Sequence, residues 1–250
     1  MFMRKIIIGD VHGCLDELKL LIRKCELKKD DHIIFLGDLI NKGPHSIECL
    51  EYIQFISEFY MVDLIIGNHE EKFLRFIYNK NNNLEAFEQM NLKFDLYALE
   101  KNITPSILNF LTLGYFSYKI PDLDILLIHG GLTKNCKLDL QKNYGYGLHS
   151  KEELKELKLL TMTRCIDKNG DFVALGSENE ESKFWAQEYD GKHGLVLFGH
   201  QVFFQDEPMH FNNAIGLDGG CVFGGYLFAY IIDDYEKKWI RVKALKKYVS

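Results

Sequence analysis

The sequence predicts an α/β fold of four layers, α/β/β/α, in which two mixed sheets pack face to face and helices cover their outer sides. Three times in the first half, a short apolar strand is followed by a polar loop and an amphipathic helix. This repeat is typical of parallel strands joined by right-handed crossovers. The second half contains mostly strands, which we expect to be joined by hairpins and to form the second sheet.

The individual elements follow from local hydrophobic periodicity. The three predicted units are strand 5–8 with helix 15–25, strand 32–36 with helix 46–56, and strand 61–66 with helix 69–78. A polar turn at 79–83 and a mostly helical stretch at 84–113 lead to strands at 116–120, 124–128, 195–198, 214–217, 226–232 and 239–243.

We expect one domain spanning residues 1–250, because a chain of this length can bury a single core. Residues 133–192 are charged and irregular around a helix near 151–160. We therefore expect this segment to be an insertion that faces the substrate.

Composition disfavours several classes of function. Thirty Lys and Arg against 36 Asp and Glu give a net charge of −6, which disfavours broad binding to nucleic acid or to anionic membranes. The N-terminal apolar run is too short for a signal peptide, and the longest apolar stretch, 222–232, is too short to cross a bilayer. Six cysteines without a C-x-x-C pair indicate free thiols, and we expect a cytoplasmic protein without membrane association.

Short polar motifs follow five of the predicted strands. They are Gly9-Asp-Val-His-Gly13, Gly37-Asp38, Gly67-Asn-His-Glu70, His129-Gly-Gly131 and Gly199-His200. Each alone is a common loop sequence, but together they bring Asp, His and Asn to one edge, where α/β sheets bind ligands. Carboxylate, amide and imidazole donors without thiolates favour Mn²⁺, Fe or Zn²⁺, and a carboxylate can bridge two such ions. Two ions a few ångströms apart suit phosphoryl displacement by water.

These motifs resemble the signatures of the phosphoprotein phosphatase superfamily of dinuclear metallophosphoesterases, which read G-D-x-H-G, G-D-x-x-D-R-G, G-N-H-E, H-A-G and G-H. The resemblance runs from Gly9 to Gly225 and implies the calcineurin-like α/β/β/α sandwich. The segment Asp218-Gly-Gly-Cys-Val-Phe-Gly-Gly225 is similar to a motif of bacterial-type members. Within the superfamily, the chain most resembles the symmetrical diadenosine tetraphosphatases.

The resemblance implies a role for each matching residue. Two divalent cations, Mn²⁺ or alternatively Fe, Zn or Co, would be held by six ligands: Asp10 and His12 at the first ion, Asn68, His129 and His200 at the second, and Asp38 bridging the two. His69 would be the general acid that protonates the leaving oxygen while metal-activated hydroxide attacks from the opposite side. Arg164, Lys42 and Asn68 would bind the substrate, and Arg164 would act in catalysis by gripping its phosphate oxygens.

Structural explanations stand beside some of these roles. His69 could merely cap the helix that follows it, and Arg164 could be a solvated charge at a helix end. The histidines outside the motifs are expected to lie on the surface or to pack structurally; these are His32, His45, His149, His193 and His210. A further group of aromatic residues could line a pocket, although core packing is favoured; these are Trp185, Tyr189, Phe203 and Phe204.

The second motif departs from the family pattern at Asn41-Lys42, where protein phosphatases have Asp-Arg. The family's Asp orients the acid histidine and stabilises its protonated form, whereas Asn41 could accept the same hydrogen bond without supplying negative charge. Proton donation to an alkoxide, whose conjugate acid resembles water with a pKa of about 16, would then suffer. A leaving phosphate or nucleotide, with a last pKa of about 6, needs far less help.

The sequence therefore favours a metal-dependent hydrolase that acts on the anhydride bonds of nucleoside polyphosphates such as diadenosine tetraphosphate. The symmetrical tetraphosphatases and their relatives also lack that Asp, and some of these relatives read Lys-Gly-Pro where Lys42-Gly43-Pro44 stands here. A Ser/Thr protein phosphatase is the alternative, and a catalytically inactive binding module is a remote one. The substrate is expected to be a phosphorylated small molecule or nucleotide, with capped RNA and phosphoproteins left open.

Overall fold

Three parallel βα units open the fold. The computed structural model describes residues 3–90, 94–147, 149–234 and 236–249. Its first strands are β1 (Lys5–Ile8), β2 (His32–Phe35) and β3 (Met61–Leu64), which pair in parallel in that order. The helices that follow them are α1 (Leu15–Lys24), α2 (Ser46–Ser57) and α3 (Asn68–Asn82). The three predicted units are therefore confirmed.

The helical stretch that follows is divided into α4 (Leu84–Glu88), α5 (Phe94–Asn102) and α6 (Pro105–Thr112). The turn predicted at 79–83 is wrong over most of its length, because α3 continues to Asn82. Phe76 and Asn79 are buried on one face of α3, and the Phe76 ring lies 5.6 Å from that of Phe87 in α4. Tertiary packing therefore overrides the weak helix propensity of the asparagines.

The remaining strands and helices form the rest of the sandwich and a small third sheet. The strands are β4 (Tyr115–Ile120), β5 (Ile125–Ile128), β6 (Tyr144–Gly145), β7 (Cys165–Ile166), β8 (Phe172–Val173), β9 (Lys183–Phe184), β10 (Leu195–Phe198), β11 (Met209–His210), β12 (Ala214–Gly216), β13 (Asp218–Gly219), β14 (Tyr226–Asp233) and β15 (Glu236–Lys243), and the helices are α7 (Lys151–Met162) and α8 (Trp185–Glu188). Two short 3₁₀ helices lie at Pro121–Leu123 and Cys221–Phe223.

Two six-stranded mixed sheets result. The first has the order β13-β14-β1-β2-β3 with β15 paired to β14, and the second has the order β11-β12-β10-β5-β4-β6. Side chains that alternate along the strands divide the core in two. Ile7 and Ile34 of the first sheet pack with Leu127 and Leu197 of the second, so the predicted four-layer architecture is confirmed.

Strand pairing differs from the prediction in two places. In the second sheet, β5, β10 and β12 are parallel neighbours and are not joined by hairpins. The final hairpin, β14–β15, belongs to the first sheet, where β14 pairs antiparallel with β1. Strand β14 is buried over almost its whole length, which suits a central position, but local alternation does not specify which strand a segment pairs with.

The segment predicted as an insertion, residues 133–192, contains α7, α8 and the small sheet β8-β7-β9. Helix α7 touches the second large sheet, because Gly130 N donates to Leu160 O at 2.7 Å. Its orientation toward a substrate stays a prediction, as does the assignment of the whole chain to one domain. Within the described residues, no helix is long and apolar enough to cross a bilayer.

A buried ion pair joins β1 and β2 at the sheet end away from the motif loops. Arg4 Nε donates to Asp31 Oδ1 at 2.8 Å, and the same guanidinium donates to the carbonyls of Cys25 and Glu26. Both side chains are nearly inaccessible to solvent. Loss of one partner would leave the other charge buried without compensation.

We predict that Arg4→Met lowers the free energy of unfolding by about 3–5 kcal/mol, because Asp31 is left buried and unpaired. Urea unfolding followed by circular dichroism measures the effect. Arg75→Met is the matched control, since the Arg75–Glu71 pair is partly exposed and its loss should cost at most about 1 kcal/mol. Equal losses in the two variants would contradict the prediction.

Candidate metal centre

The motif loops converge on one buried carboxylate, Asp38, which is 2% exposed and follows β2. Asp38 Oδ2 lies 3.3 Å from His12 Nε2, and Oδ1 lies 3.3 Å from His129 Nε2. His69 Nε2 lies 3.9 Å from Oδ2. A carboxylate with imidazole nitrogens on both of its oxygens has the arrangement expected of a ligand shared by two cations.

Two groups of possible ligand atoms share this carboxylate. Each group has its ligand atoms within 4.8 Å of one another; the groups are His12, Asp38 and His69, and Asp38, His129 and His200. Asn68 joins the second group, since its Oδ1 lies 3.2 Å from His129 Nε2. The structure therefore brings the predicted ligands of the second ion together around Asp38.

The tautomers of two histidines are fixed by backbone carbonyls. His12 Nδ1 lies 2.9 Å from Ile40 O, and His129 Nδ1 lies 2.6 Å from Leu36 O. A carbonyl only accepts, so each Nδ1 carries a proton and each Nε2 is the ring nitrogen that faces Asp38. Positive charge at Nε2, from a proton or from a cation bound there, therefore stabilises the Asp38 carboxylate.

The described residues fit a pair of divalent cations. His200 Nε2 is buried and has no hydrogen-bond partner among the described residues, which is unusual for a buried polar atom. The donors that converge are carboxylate, amide and imidazole groups, a mixture that suits Mn²⁺, Fe or Zn²⁺. The metal ligand roles predicted from the sequence remain predictions.

Asp10 is placed differently from the other predicted ligands. Both of its carboxylate oxygens lie 3.1 Å from His200 N and accept its proton, so Asp10 holds the loop that carries His200. Burial and the carboxylate of Asp218 raise the pKa of Asp10 well above its usual value. Asp10 is also absent from the two ligand groups around Asp38. Its role at the first ion is thus the least supported of the six by the geometry.

Asp218 is a site residue that received no role from the sequence. It is buried, and its Oδ1 accepts a hydrogen bond from Gly220 N at 2.9 Å. Burial raises the pKa of Asp218, and the Asp218 carboxylate is in turn one of the groups that raise the pKa of Asp10. Two buried carboxylates beside Asp38 need positive charge nearby. The only signal in the sequence was the position of Asp218 at the start of a Gly-rich motif.

His69 is flanked by the amide of Asn41. Asn41 Nδ2 lies 3.0 Å from His69 Nδ1, and in this orientation the amide donates to the ring. The sequence prediction that Asn41 accepts this hydrogen bond is therefore wrong, and the proton of neutral His69 lies on Nε2. Burial, with smaller contributions from His12 and Lys42, lowers the pKa of His69 to about 4, although Asp38 opposes the shift.

The two predicted phosphate-binding cations lie on different sides of this centre. Arg164 donates to His200 O at 3.2 Å and is half-buried, so it is not a solvated charge at a helix end. Lys42 Nζ lies 2.7 Å from His12 Nε2, where it supplies the positive charge that the lone pair of His12 faces. The Lys42 side chain is otherwise exposed and can turn toward a substrate.

Glu70 holds the loop that carries Asp38, a role that the sequence did not reveal. Its carboxylate is fully buried and accepts hydrogen bonds from four backbone N–H groups; these belong to Asp38 (2.7 Å), Leu39 (2.9 Å), Ile40 (3.3 Å) and Gly67 (3.0 Å). Hydrogen bonds to a charged acceptor are the strong ones in proteins. Glu70 is therefore a positioning residue of the centre.

Close backbone packing also fixes Asp38. A Cβ atom at position 67 would collide with the Asp38 carboxylate, so a glycine is required between Ile66 and Asn68. Beyond Gly67, His69 N donates to Asp38 Oδ1 at 3.1 Å. The motif Gly67-Asn-His-Glu70 thus supplies a close approach, a predicted ligand, a predicted acid and a loop anchor within four residues.

A buried centre of this kind, at the strand ends of two packed sheets, is characteristic of metal-dependent phosphoesterases. The model of the calcineurin-like phosphoesterase family matches residues 3–204, and the chain belongs to this family. It is a metal-dependent hydrolase of phosphoric ester or anhydride bonds, and the family implies two metal ions. The resemblance on which the sequence prediction depended is thereby confirmed.

Similar proteins span nearly the whole chain. A bis(5'-nucleosyl)-tetraphosphatase PrpE [asymmetrical] from Oceanobacillus iheyensis is 27% identical and covers 99% of this chain and 95% of its own length. A symmetrical bis(5'-nucleosyl)-tetraphosphatase from Nitrosococcus oceani is 24% identical, with coverages of 94% and 95%. A solved structure of a proposed diadenosine tetraphosphatase superposes with a TM-score of 0.70 at 26% identity, covering 96% of this chain and 93% of its own.

We predict that Glu70→Gln lowers metal content and activity by at least about tenfold, because an amide offers one acceptor oxygen to four N–H donors. Elemental analysis of the purified variant measures the metal independently of turnover. Glu71→Gln is the matched control, since Glu71 is the next residue of α3 and its ion-pair partner among the described residues is the partly exposed Arg75. Full metal occupancy in Glu70→Gln would contradict the positioning role.

Proposed function

We propose that this protein hydrolyses the phosphoanhydride bonds of nucleoside polyphosphates, dinucleoside tetraphosphates among them. The observation that carries the proposal is the neutral amide of Asn41 beside His69. An amide that donates to Nδ1 disfavours the imidazolium form of His69. His69 is therefore a poor proton donor to an alkoxide leaving group. Anhydride cleavage releases a phosphate or nucleotide of low pKa and makes little demand on the acid.

Each residue of the centre has a place in this reaction. When bound, two divalent cations lower the pKa of water and stabilise negative charge on the phosphoryl group. Neutral His69 carries its N–H on Nε2 and can stabilise the departing phosphate oxygen with a hydrogen bond, whereas only its imidazolium form would transfer a proton to that oxygen. Arg164 and Lys42 bind the outer phosphate oxygens, and Asp38 and Asn68 hold the cations together with the histidines. Mn²⁺ is the ion that we propose, and Fe, Zn²⁺ and Co are the alternatives that the same donor set accepts.

Two further observations support the proposal. Two relatives that cover more than nine-tenths of the chain are named as tetraphosphatases, one asymmetrical and one symmetrical. All six cysteines carry free thiols in the described structure, which suits the reducing cytoplasm where nucleotides are abundant.

A turnover panel with Mn²⁺-loaded protein tests the substrate class. The panel compares diadenosine tetraphosphate, capped RNA, inorganic polyphosphate, a phosphoserine peptide and p-nitrophenyl phosphate. We expect kcat/KM for the dinucleotide to exceed that for the peptide by at least about tenfold. Chelation should abolish activity and Mn²⁺ restore it, because the cations supply the activated water. The peptide as the best substrate would identify a protein phosphatase instead.

The products of dinucleotide cleavage decide between the two kinds of tetraphosphatase. Two molecules of ADP define symmetrical cleavage, whereas AMP with ATP defines asymmetrical cleavage. Chromatography of an early time point separates the two outcomes.

We predict that Asn41→Asp raises the ratio of phosphomonoester to dinucleotide turnover by roughly tenfold, because the added charge favours protonated His69. Asp has the size of Asn, so the packing around His69 is kept. Asn82→Asp adds the same charge near the far end of α3, roughly 20 Å along the helix from Asn68, and serves as control. An unchanged ratio in Asn41→Asp would show that the leaving-group argument is wrong.

A further inference from the structure

One large aromatic side chain beside the metal centre is exposed. Phe204 is 71% exposed, so the prediction that it packs in the core is wrong. Its neighbour Phe203 does pack inside, with ring centroids 5.8 to 6.3 Å from those of Phe184, Phe198 and Phe211. Gln205 N donates to Phe203 O at 2.7 Å, so Phe204 is the middle residue of a tight three-residue turn. The turn presents the Phe204 ring to solvent.

The exposed ring is nevertheless held in place. A Cβ atom at Gly220 would lie 2.9 Å from Phe204 Cε1, so the ring edge rests against the bare backbone of this glycine. Phe204 also meets Phe223 edge to face, with ring centroids 6.5 Å apart and an angle of 76° between the planes. The position of the ring is therefore set by the loop that starts at Asp218.

A short series of contacts connects this aromatic pair to the metal centre. His12 Nε2 lies 2.7 Å from Lys42 Nζ, and Lys42 Nζ lies 5.4 Å from the centroid of the Phe223 ring. Phe223 in turn meets Phe204. The Phe204–Phe223 pair therefore lies next to Lys42, the predicted phosphate-binding cation. Phe204 also follows the predicted ligand His200 by only four residues.

We infer that Phe204, backed by Phe223, is a platform on which the base of a nucleoside polyphosphate stacks while its phosphate chain passes Lys42 to the metal centre. This inference rests on the proposed function and names the part of the substrate that lies outside the reaction. A nucleobase offers a flat π-face, and stacking on one aromatic side chain commonly changes affinity by about tenfold. Inorganic polyphosphate, which has no base, gains nothing from the platform.

The test compares a substrate that carries a base with one that has none. With Mn²⁺-loaded protein, Phe204→Ala should lower the ratio of kcat/KM for diadenosine tetraphosphate to kcat/KM for tripolyphosphate by about tenfold, mainly through KM. Phe204→Tyr should restore the ratio, because it restores the ring. An unchanged ratio in Phe204→Ala, or a ratio that Phe204→Tyr fails to restore, would overturn the inference.

The chain offers a matched control in Phe59, which is 60% exposed just beyond the end of α2. Its neighbour Phe55 meets it edge to face at 5.3 Å, so the local chemistry resembles that of Phe204. Helix α2 has 12 residues and starts beside the site loops, which puts its end roughly 18 Å away along the axis. Phe59→Ala should leave both kcat/KM values unchanged.

Equilibrium binding separates this inference from the proposed function. Calorimetry with Mn²⁺-loaded protein compares ADP with pyrophosphate, and no turnover of a dinucleotide is needed. Wild-type protein should bind ADP more tightly than pyrophosphate, and Phe204→Ala should reduce this preference by about tenfold. Equal affinities in wild-type protein would overturn the platform even if the protein hydrolyses dinucleotides. A clear preference for ADP that Phe204→Ala reduces would support the platform even if hydrolysis of dinucleotides fails.

Discussion

The site depends on one constraint, which is that the negative charge of the buried Asp38 carboxylate must be compensated by positive charge. Burial alone would raise the pKa of Asp38, but His129, His69 and His12 outweigh burial and hold it well below its usual value. Burial would likewise lower the pKa of His129, yet Asp38 raises it to about 9. The carboxylate therefore requires positive charge on several sides. Protons on histidines and divalent cations are alternative ways to supply that charge, so metal binding releases protons.

The centre is formed by loops whose backbones are strained individually and stabilised mutually. Eight non-glycine residues in the described part of the chain have φ in the left-handed region, and five of them belong to the site; these are His12, Asp38, Asn41, Lys42 and His200. Such conformations are uncommon for residues with a side chain and persist only where surrounding contacts fix them. Here the contacts come from the other loops, because His12 N donates to Asp38 O at 2.7 Å and Gly13 N donates to Leu39 O at 2.9 Å.

The parts that the sequence predicted are those written in local patterns. The three βα units and their loops follow from apolar runs interrupted by Gly and polar residues, and the motifs placed Asp38, His129 and His200 at converging strand ends. The sequence could not show which strands pair with each other. The apolar residues of a strand such as β14 would suit a place in either sheet. The orientation of the Asn41 amide and the exposure of Phe204 depend on turns whose φ angles or hydrogen bonds local propensity does not encode.

Asn41 and Phe204 both bear on which substrate is selected. Asn41 acts through His69 at the leaving group, and Phe204 is the proposed contact of the base. An enzyme that cleaves alkyl phosphates must protonate the leaving oxygen. A negatively charged partner behind the acid histidine favours the protonated histidine that this step needs. With a neutral amide in that position, the chemistry favours any good leaving group, and discrimination among anhydrides must come from binding outside the reacting centre. Binding energy gained far from the phosphorus raises kcat/KM without altering the metal centre. An exposed ring at the edge of the site, fixed by Gly220 and separated from the cation site by Lys42 and Phe223, is suited to that task.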